Sequence, residues 1–356
     1  MKLDINSLCK DPLFQLNLAI WLTQPQHADN VCVDPIFYKS GLSIYSIGPL
    51  LTLPLDIKLA IKGKINFKDS IRPDLILEKK ELNRYCLLEC KGSSFGSGSS
   101  TAEQARTLLL IAGPIISEVL GMGSRRQNAG VLCYMTGPNQ NSMLGTTLLE
   151  LKEEIESIGL EPGPFGCFEI SADESVITLE YSLEVKELLS LKIDSPLQIM
   201  KLEEDTDPRP LYFIPYDPNI NQTAEEKEFS RRVLFERILE FFITDIGGAD
   251  VPIKTYIKTE KFLNDATFGI YSLWDDNEAK KCLRKLVRTF LKKIEGTLKS
   301  PAKECMHYEI KVGYMVDIKD DNAKSEFLKQ LQKIKPETMD VSESIQPSLF
   351  ESDDHD

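Results

Sequence analysis

Ile71-Arg72-Pro73-Asp74-Leu75-Ile76-Leu77-Glu78, a polar Lys79-Lys80-Glu81-Leu82-Asn83-Arg84, and then Tyr85-Cys86-Leu87-Leu88-Glu89-Cys90-Lys91 form the stretch on which the reading of this chain turns. Two short apolar runs flank a hydrophilic hexapeptide. The first run predicts a strand over 71–78, with Pro73 near its start, where a missing N–H is tolerated. Residues 79–84 predict a turn and residues 85–91 the returning strand. Side chains alternate along a strand, so Glu89 and Lys91 share one face while Cys86, Leu88 and Cys90 share the other. Antiparallel pairing then brings Asp74 near Glu89 and Lys91, although fourteen residues separate the two acids.

Each of these side chains has a chemical use in such a cluster. Asp74 and Glu89 offer hard oxygen donors suited to Mg²⁺ or Mn²⁺, and the carbonyl of Cys90 can complete the protein's share of the coordination. A metal held there lowers the pKa of a bound water and neutralises charge at a phosphate. Lys91 is placed to orient the attacking water or to stabilise the pentacovalent phosphorus. A lysine desolvated beside a metal also loses its proton more readily. The competing explanation is coincidental surface charge in an unrelated α/β domain.

The P-D-x14-E-x-K spacing resembles the PD-(D/E)XK nuclease superfamily, and the resemblance extends over about residues 65–136. It implies a strand–strand–helix–strand core. Residues 102–120 have helical spacing, with Leu108, Leu109, Ile111, Ile115, Ile116 and Val119 apolar and Thr101 as the expected N-cap. Residues 129–136 predict a buried strand. Gln104 loosely matches a glutamine that several branches carry early in that helix. The resemblance also implies an acidic ligand from a helix before the P-D strand. The helix expected at 13–23 contains no acid, which leaves Asp34 and Asp56 as substitutes. The expected fold is therefore α/β: a restriction-endonuclease-like mixed sheet flanked by helices, with a C-terminal α+β or helical domain and a disordered acidic tail. Gly92–Ser100 reads as a flexible loop or as a mobile segment closing over substrate. It does not carry the G-x-x-x-x-G-K-[ST] phosphate-loop pattern.

Composition narrows the class. The 356-residue chain has a net charge of −13 and an ordinary share of charged and apolar residues. No apolar run reaches the roughly eighteen residues of a membrane span, and Met1–Ser7 shows no secretory pattern, so a cytoplasmic protein without a membrane partner is expected. Eight scattered cysteines without a C-x2-C pair, and three histidines, argue against zinc. The cysteine spacing does not support an iron–sulfur cluster either.

Charge is unevenly spread. Residues 336–356 hold seven acids and no Lys or Arg, so the remaining chain carries −6. Nucleic-acid binding must then rest on local basic patches or on a partner. Residues 280–303 supply such a patch: nine Lys and Arg against Glu295 alone. At helical spacing, Leu283, Val287, Phe290 and Ile294 form an apolar stripe, and Lys281, Lys285, Arg288 and Lys292 line another face that can meet DNA phosphates. An ordinary solvated helix face is the alternative.

The expected division is 1–145 for the nuclease-like domain, 146–335 for an accessory α+β domain and 336–356 for the tail. Within the accessory part, residues 146–158 read as a helix and 166–181 as a hairpin turning at Ala172-Asp173-Glu174-Ser175. A strand is expected at 210–215, a loop at 216–223, and a helix opened by the Thr223 capping box, running to about 243. Helical character over 223–298 allows a winged-helix reading. In the tail, Gln346-Pro347-Ser348-Leu349-Phe350 resembles the peptide by which bacterial proteins dock on the DNA sliding clamp. Gln346, Leu349 and Phe350 are then the contact residues, and attachment raises the local concentration of a weakly binding enzyme on DNA.

The expected function is metal-dependent hydrolysis of DNA phosphodiester bonds, endo- or exonucleolytic, in repair, restriction or anti-phage defence. A catalytically inactive nuclease-fold subunit for DNA binding or complex assembly, and an unrelated α/β interaction protein, are the alternatives. The chain has no ATPase or helicase signature, so energy coupling or sequence recognition falls to a separate subunit.

Overall fold

A computed structural model of the protein describes residues 4–24, 27–28, 31–122, 129–173, 175–203, 208–209, 212–214, 224–310 and 313–335. The chain divides into two compact units, Met1–Ile214 with Ser272–Asp276, and Pro215–Tyr271 with Asn277–Asp356.

The first unit runs α1 (Ile5–Leu8), α2 (Pro12–Thr23), β1 (His27–Ala28), β2 (Val31–Val33), α3 (Ile36–Lys39), β3 (Ser43–Ile47), β4 (Leu51–Thr52), α4 (Leu55–Ile61), β5 (Ser70–Ile71), β6 (Leu75–Lys79) and β7 (Arg84–Lys91). It continues through α5 (Ser100–Ile111), α6 (Ile116–Val119), β8 (Ala129–Thr136), α7 (Asn141–Ser157), β9 (Phe165–Asp173), β10 (Val176–Tyr181), α8 (Leu183–Leu189) and β11 (Leu197–Leu202). Among the described residues a nine-stranded sheet has the order β1-β2-β11-β10-β9-β8-β7-β6-β3. β7, β8 and β9 are parallel to one another and the other pairs are antiparallel. The fold is thus α/β, a mixed sheet flanked by helices, and the strand–strand–helix–strand order β6-β7-α5-β8 is present.

The sheet's two faces explain the pattern of the sequence. Tyr85, Leu87, Leu132 and Tyr134 point into a cluster with Ala102, Ala105, Leu108 and Leu109 of α5 and Leu144, Leu148, Leu151 and Ile155 of α7. Against β7 also lies α2, which is buried almost all round. A strand covered by helices has to be apolar on alternate residues of both faces, as β7 is from Tyr85 to Leu88.

Several expected boundaries shift for identifiable reasons. The strand expected at 71–78 divides into β5 and β6, because Pro73 cannot donate to a ladder and the Asp74 carbonyl is taken by the N–H of Gly48 at 3.1 Å. The helix expected at 102–120 breaks into α5 and α6 at Gly113-Pro114, where the proline's ring and missing N–H oppose continuation. Its N-cap is Ser99, which accepts the N–H of Ala102 at 3.1 Å, not Thr101. The hairpin expected at 166–181 is present, with Asp173 opposite Val176. However, β9 adds in parallel to β8, so residues 146–214 continue the first unit's sheet and the expected boundary at 145 falls inside it. Of the strand expected at 210–215, the described residues Tyr212–Ile214 are not a strand. Buried Asn17 donates to the Ile214 carbonyl at 3.0 Å and accepts its N–H at 2.8 Å, in the manner of a neighbouring strand.

In the second unit α9 (Ala224–Gly248), β12 (Ile253–Tyr256), α10 (Thr259–Ala266), α11 (Asn277–Thr297), β13 (Met306–Glu309), β14 (Gly313–Ile318) and α12 (Asp321–Leu331) follow one another. The three strands form an antiparallel sheet ordered β12-β14-β13. This is an α+β unit. Thr223 and the acidic tail 336–356 lie outside the described residues. Among the described residues no helix is long and apolar enough to cross a membrane.

Candidate active site

The hairpin register puts Leu75 opposite Leu88, so Asp74, one residue earlier, meets the end of β7. Its Oδ2 accepts the backbone N–H of Cys90 at 2.6 Å. One residue to either side stand the other two expected members, and the Lys91 Nζ lies 2.9 Å from Glu89 Oε1. Arg72 steadies the approach to this corner by donating to the Gly48 carbonyl at 2.7 Å. The sequence-predicted trio of Asp74, Glu89 and Lys91 is therefore brought together at one end of two adjacent strands.

The local electrostatics follow from burial. Glu89 is only 5 % exposed, and its Oε2 is buried with no hydrogen-bond partner among the described residues. Such an atom pays a desolvation penalty unless something satisfies it. Burial pushes the Lys91 ammonium pKa down, but the Glu89 and Asp74 carboxylates more than offset this and leave it above the ordinary lysine value of 10.5. These two acids favour the cationic form of Lys91. The Cys90 thiol is raised well above its usual range by burial and then by Asp74 and Glu89. It is a packed, inert side chain facing away from the acids.

Three residues that the motif does not contain adjoin the site. Tyr134 of β8 sits in register with Glu89. It is fully buried, its hydroxyl has no partner among the described residues, and burial followed by the Glu89 charge raises its pKa. Gln15 of α2 is also fully buried and donates to the carbonyls of Cys9 at 2.8 Å and Lys91 at 3.1 Å. Asp11, the N-cap of α2, accepts the Leu13 N–H at 2.9 Å and acts electrostatically on Cys90. Asp11-Pro12 is a helix-start signal, and it places an acid one residue ahead of a helix whose body lacks one. Nothing in the sequence marked Tyr134.

The substitutes considered for the upstream acid are elsewhere. Asp34 pairs with Lys39 at 2.5 Å beside β2, five strands from β7 in the sheet. Asp56 is exposed in the first turn of α4. Gln104 is half-buried in the second turn of α5, on the layer covering the Glu89 face, and nothing described joins it to the acids. The 92–99 segment is tied down rather than open: Gln140 accepts the Ser94 N–H at 2.9 Å, Thr147 donates to the Phe95 carbonyl at 3.1 Å, and Arg106 donates to the Ser97 carbonyl at 2.9 Å. Gly92 sits so close to Lys10 that a Cβ would lie 2.4 Å from its carbonyl oxygen.

The donor set fits a hard divalent cation in a limited way. Among the described residues no group of three or more His, Cys, Asp or Glu side chains is arranged for a metal ion. Mg²⁺, however, needs only one or two carboxylates and keeps several waters. Asp74, Glu89 with its unsatisfied buried oxygen, and the Cys90 carbonyl supply that minimum.

On α11, Lys281, Lys285, Arg288 and Lys292 are all exposed, and the expected apolar stripe is buried. Gln346, Leu349 and Phe350 lie outside the described residues. No protein-family model, no curated protein and no solved structure matches this chain.

Proposed function

We propose that the first unit is a metal-dependent nuclease that hydrolyses DNA phosphodiester bonds, with a restriction-endonuclease-like centre at Asp74, Glu89 and Lys91. The carrying observation is the pair of contacts that close this corner, Asp74 to the Cys90 N–H at 2.6 Å and Lys91 to Glu89 at 2.9 Å. They join the side chains whose spacing carries the hydrolytic reading. Asp74, Glu89 and the Cys90 carbonyl would hold Mg²⁺ or Mn²⁺. When bound, that ion supplies a water of lowered pKa and neutralises charge at the phosphate.

This chain's own residues do the rest. Lys91, kept protonated by its two acids, faces the developing charge on the phosphate oxygens, where a fixed cation in a partly dry site is most effective. Glu89 holds the Lys91 ammonium in place through Oε1 and offers Oε2 to the ion. The Cys90 N–H fixes the Asp74 carboxylate, and Gln15, by binding the Lys91 carbonyl, holds the end of the strand that carries two of the three groups.

The test is cleavage of plasmid and single-stranded DNA with Mg²⁺ and with Mn²⁺. Wild-type protein is expected to cut, and Lys91→Ala to cut about 100-fold more slowly or worse. Equal behaviour of the two proteins with both metals would end the enzyme reading. The absence of a third carboxylate ligand among the described residues favours one alternative, an inactive nuclease-fold subunit. Wild-type protein that binds DNA or a partner but never cuts would establish it.

A further inference from the structure

We propose that Lys10, in the connection between α1 and α2, is a substrate-binding residue of the first unit, its ammonium gripping a backbone phosphate next to the one that faces Lys91. The inference deepens the nuclease reading of the Asp74–Glu89–Lys91 corner and rests on it. Lys10 lies outside the P-D…E-x-K pattern, and only the fold brings it to that corner.

Two independent features place it there. The first is close approach at the ends of two parallel strands. β7 and β8 end side by side, with Lys91 opposite Thr136, and a glycine follows each, Gly92 and Gly137. Lys10 crosses both. A Cβ on Gly92 would lie 2.4 Å from the Lys10 carbonyl oxygen, and one on Gly137 would lie 2.7 Å from the Lys10 Cγ. Glycine at both positions lets the connection come this near, so the stem of Lys10 is packed across the two strand ends. The second feature is the Gln15 amide. It donates to the carbonyls of Cys9 at 2.8 Å and Lys91 at 3.1 Å, the residues immediately before Lys10 and Gly92. The connection itself is closed by the Lys10 N–H on the Ser7 carbonyl at 3.1 Å and the Asp11 N–H on the Leu8 carbonyl at 2.9 Å.

The stem is fixed while the residue as a whole is exposed. Among the described residues Lys10 forms no ion pair. Asp4 feels its charge as the least of several influences, and the Asp4 oxygens accept the Asn6 N–H at 3.1 Å and the Ser7 hydroxyl at 2.7 Å. A lysine whose stem is already ordered loses less side-chain freedom when its ammonium meets a ligand. The location suits an anionic chain: ligands of open α/β sheets bind outside the carboxyl ends of the strands. Asp74 and Glu89 repel an approaching polyanion, and a cation beside them offsets that repulsion. Lys91 is held by Glu89 at 2.9 Å and faces the reacting phosphate. Lys10 meets its neighbour as a point charge. Such a contact is made alike in bound substrate and transition state, so it lowers KM and leaves kcat alone.

The experiment uses the full-length protein and a short fluorescent DNA, offered as duplex and as single strand. Binding is measured in EDTA over a series of salt concentrations, and steady-state cleavage in Mg²⁺. Lys10→Met keeps the stem and removes the charge, and Lys10→Arg keeps the charge. Lys201→Met makes the same change in net charge at an exposed position on β11, four strands from β7. Lys10→Met is expected to bind about tenfold more weakly at low salt and to raise KM by a similar factor at unchanged kcat. Its log–log salt slope should flatten by about 0.9 on duplex or about 0.7 on single strand. Lys10→Arg and Lys201→Met should behave as wild type. Wild-type affinity and slope in Lys10→Met overturn the proposal. So does a fall in kcat at constant KM, or a loss in Lys10→Arg equal to that in Lys10→Met, which would reduce Lys10 to packing. Wild-type protein that binds neither DNA overturns it as well. Wild-type protein that binds but cuts with neither Mg²⁺ nor Mn²⁺ ends the nuclease reading, and the binding comparison in EDTA then decides Lys10 by itself.

Discussion

Glu89 and Tyr134 are adjacent buried residues, each with a polar atom that has no partner among the described residues. A buried donor left unsatisfied costs about 1–3 kcal/mol. Removing the Tyr134 hydroxyl by Tyr134→Phe should therefore raise the unfolding free energy by about 1 kcal/mol, measured by urea denaturation. A fall in stability would show that the hydroxyl is satisfied by bound water or ion. At this scale the sequence disclosed Asp74, Glu89 and Lys91 because strand alternation and a short turn are local rules. It could not disclose Tyr134 or Gln15. Tyr134 reaches Glu89 only because β8 joins β7 in a given register, and Gln15 reaches Lys91 across 76 positions of sequence. Both read as unremarkable residues in apolar runs until those elements meet.

Among the elements, α2 does two jobs through one residue. Asp11 caps its first turn and places a carboxylate charge on the flank of the Cys90 strand end. The two contributions separate by substitution. Asp11→Ala should lose about 1 kcal/mol of stability with the cap, while Asp11→Asn keeps the cap. If the charge matters to chemistry, the asparagine variant retains its urea midpoint but cleaves more slowly in Mg²⁺. Equal cleavage by Asp11→Asn and wild type would limit Asp11 to capping. Element type was legible for α7 and α11 from helical periodicity, and for α2, β7 and β8 from apolar runs of helix or strand length. What failed were the ends and breaks: Ser99 in place of Thr101 as cap, and Gly113-Pro114 inside what periodicity alone reads as one helix. Hydrophobic spacing persists across such a break, so the breaker residues carry the information.

For the whole molecule, the boundary expected at 145 misplaced β9, β10 and β11. A hairpin read in isolation suggests a new unit, whereas β8-α7-β9 is a parallel crossover, for which a helix is the usual connection. The first unit also takes in Ser272–Asp276. Trp274 is 3 % exposed and bridges Ile47 at the β3 edge, the N–H of Asp275 donates to the Ile47 carbonyl at 2.8 Å, and Asp276 faces Arg72 at 3.8 Å. Trp274→Ala should cost about 3–5 kcal/mol, seen as faster hydrogen exchange in β3 and β6 with the α9–α10 amides unchanged. Uniform loosening of both units would contradict this assignment.

That five-residue return has a consequence for inheritance. Because Trp274 and Asp276 belong to the first unit while Asn277 opens the basic helix, neither unit is encoded by one uninterrupted stretch. A single crossover after Ile214 would give the first unit a foreign partner but strip it of its last edge contacts. The second unit can be exchanged as a cassette only by recombining at both ends of 272–276, and descendants of this architecture should therefore keep or lose the two units together.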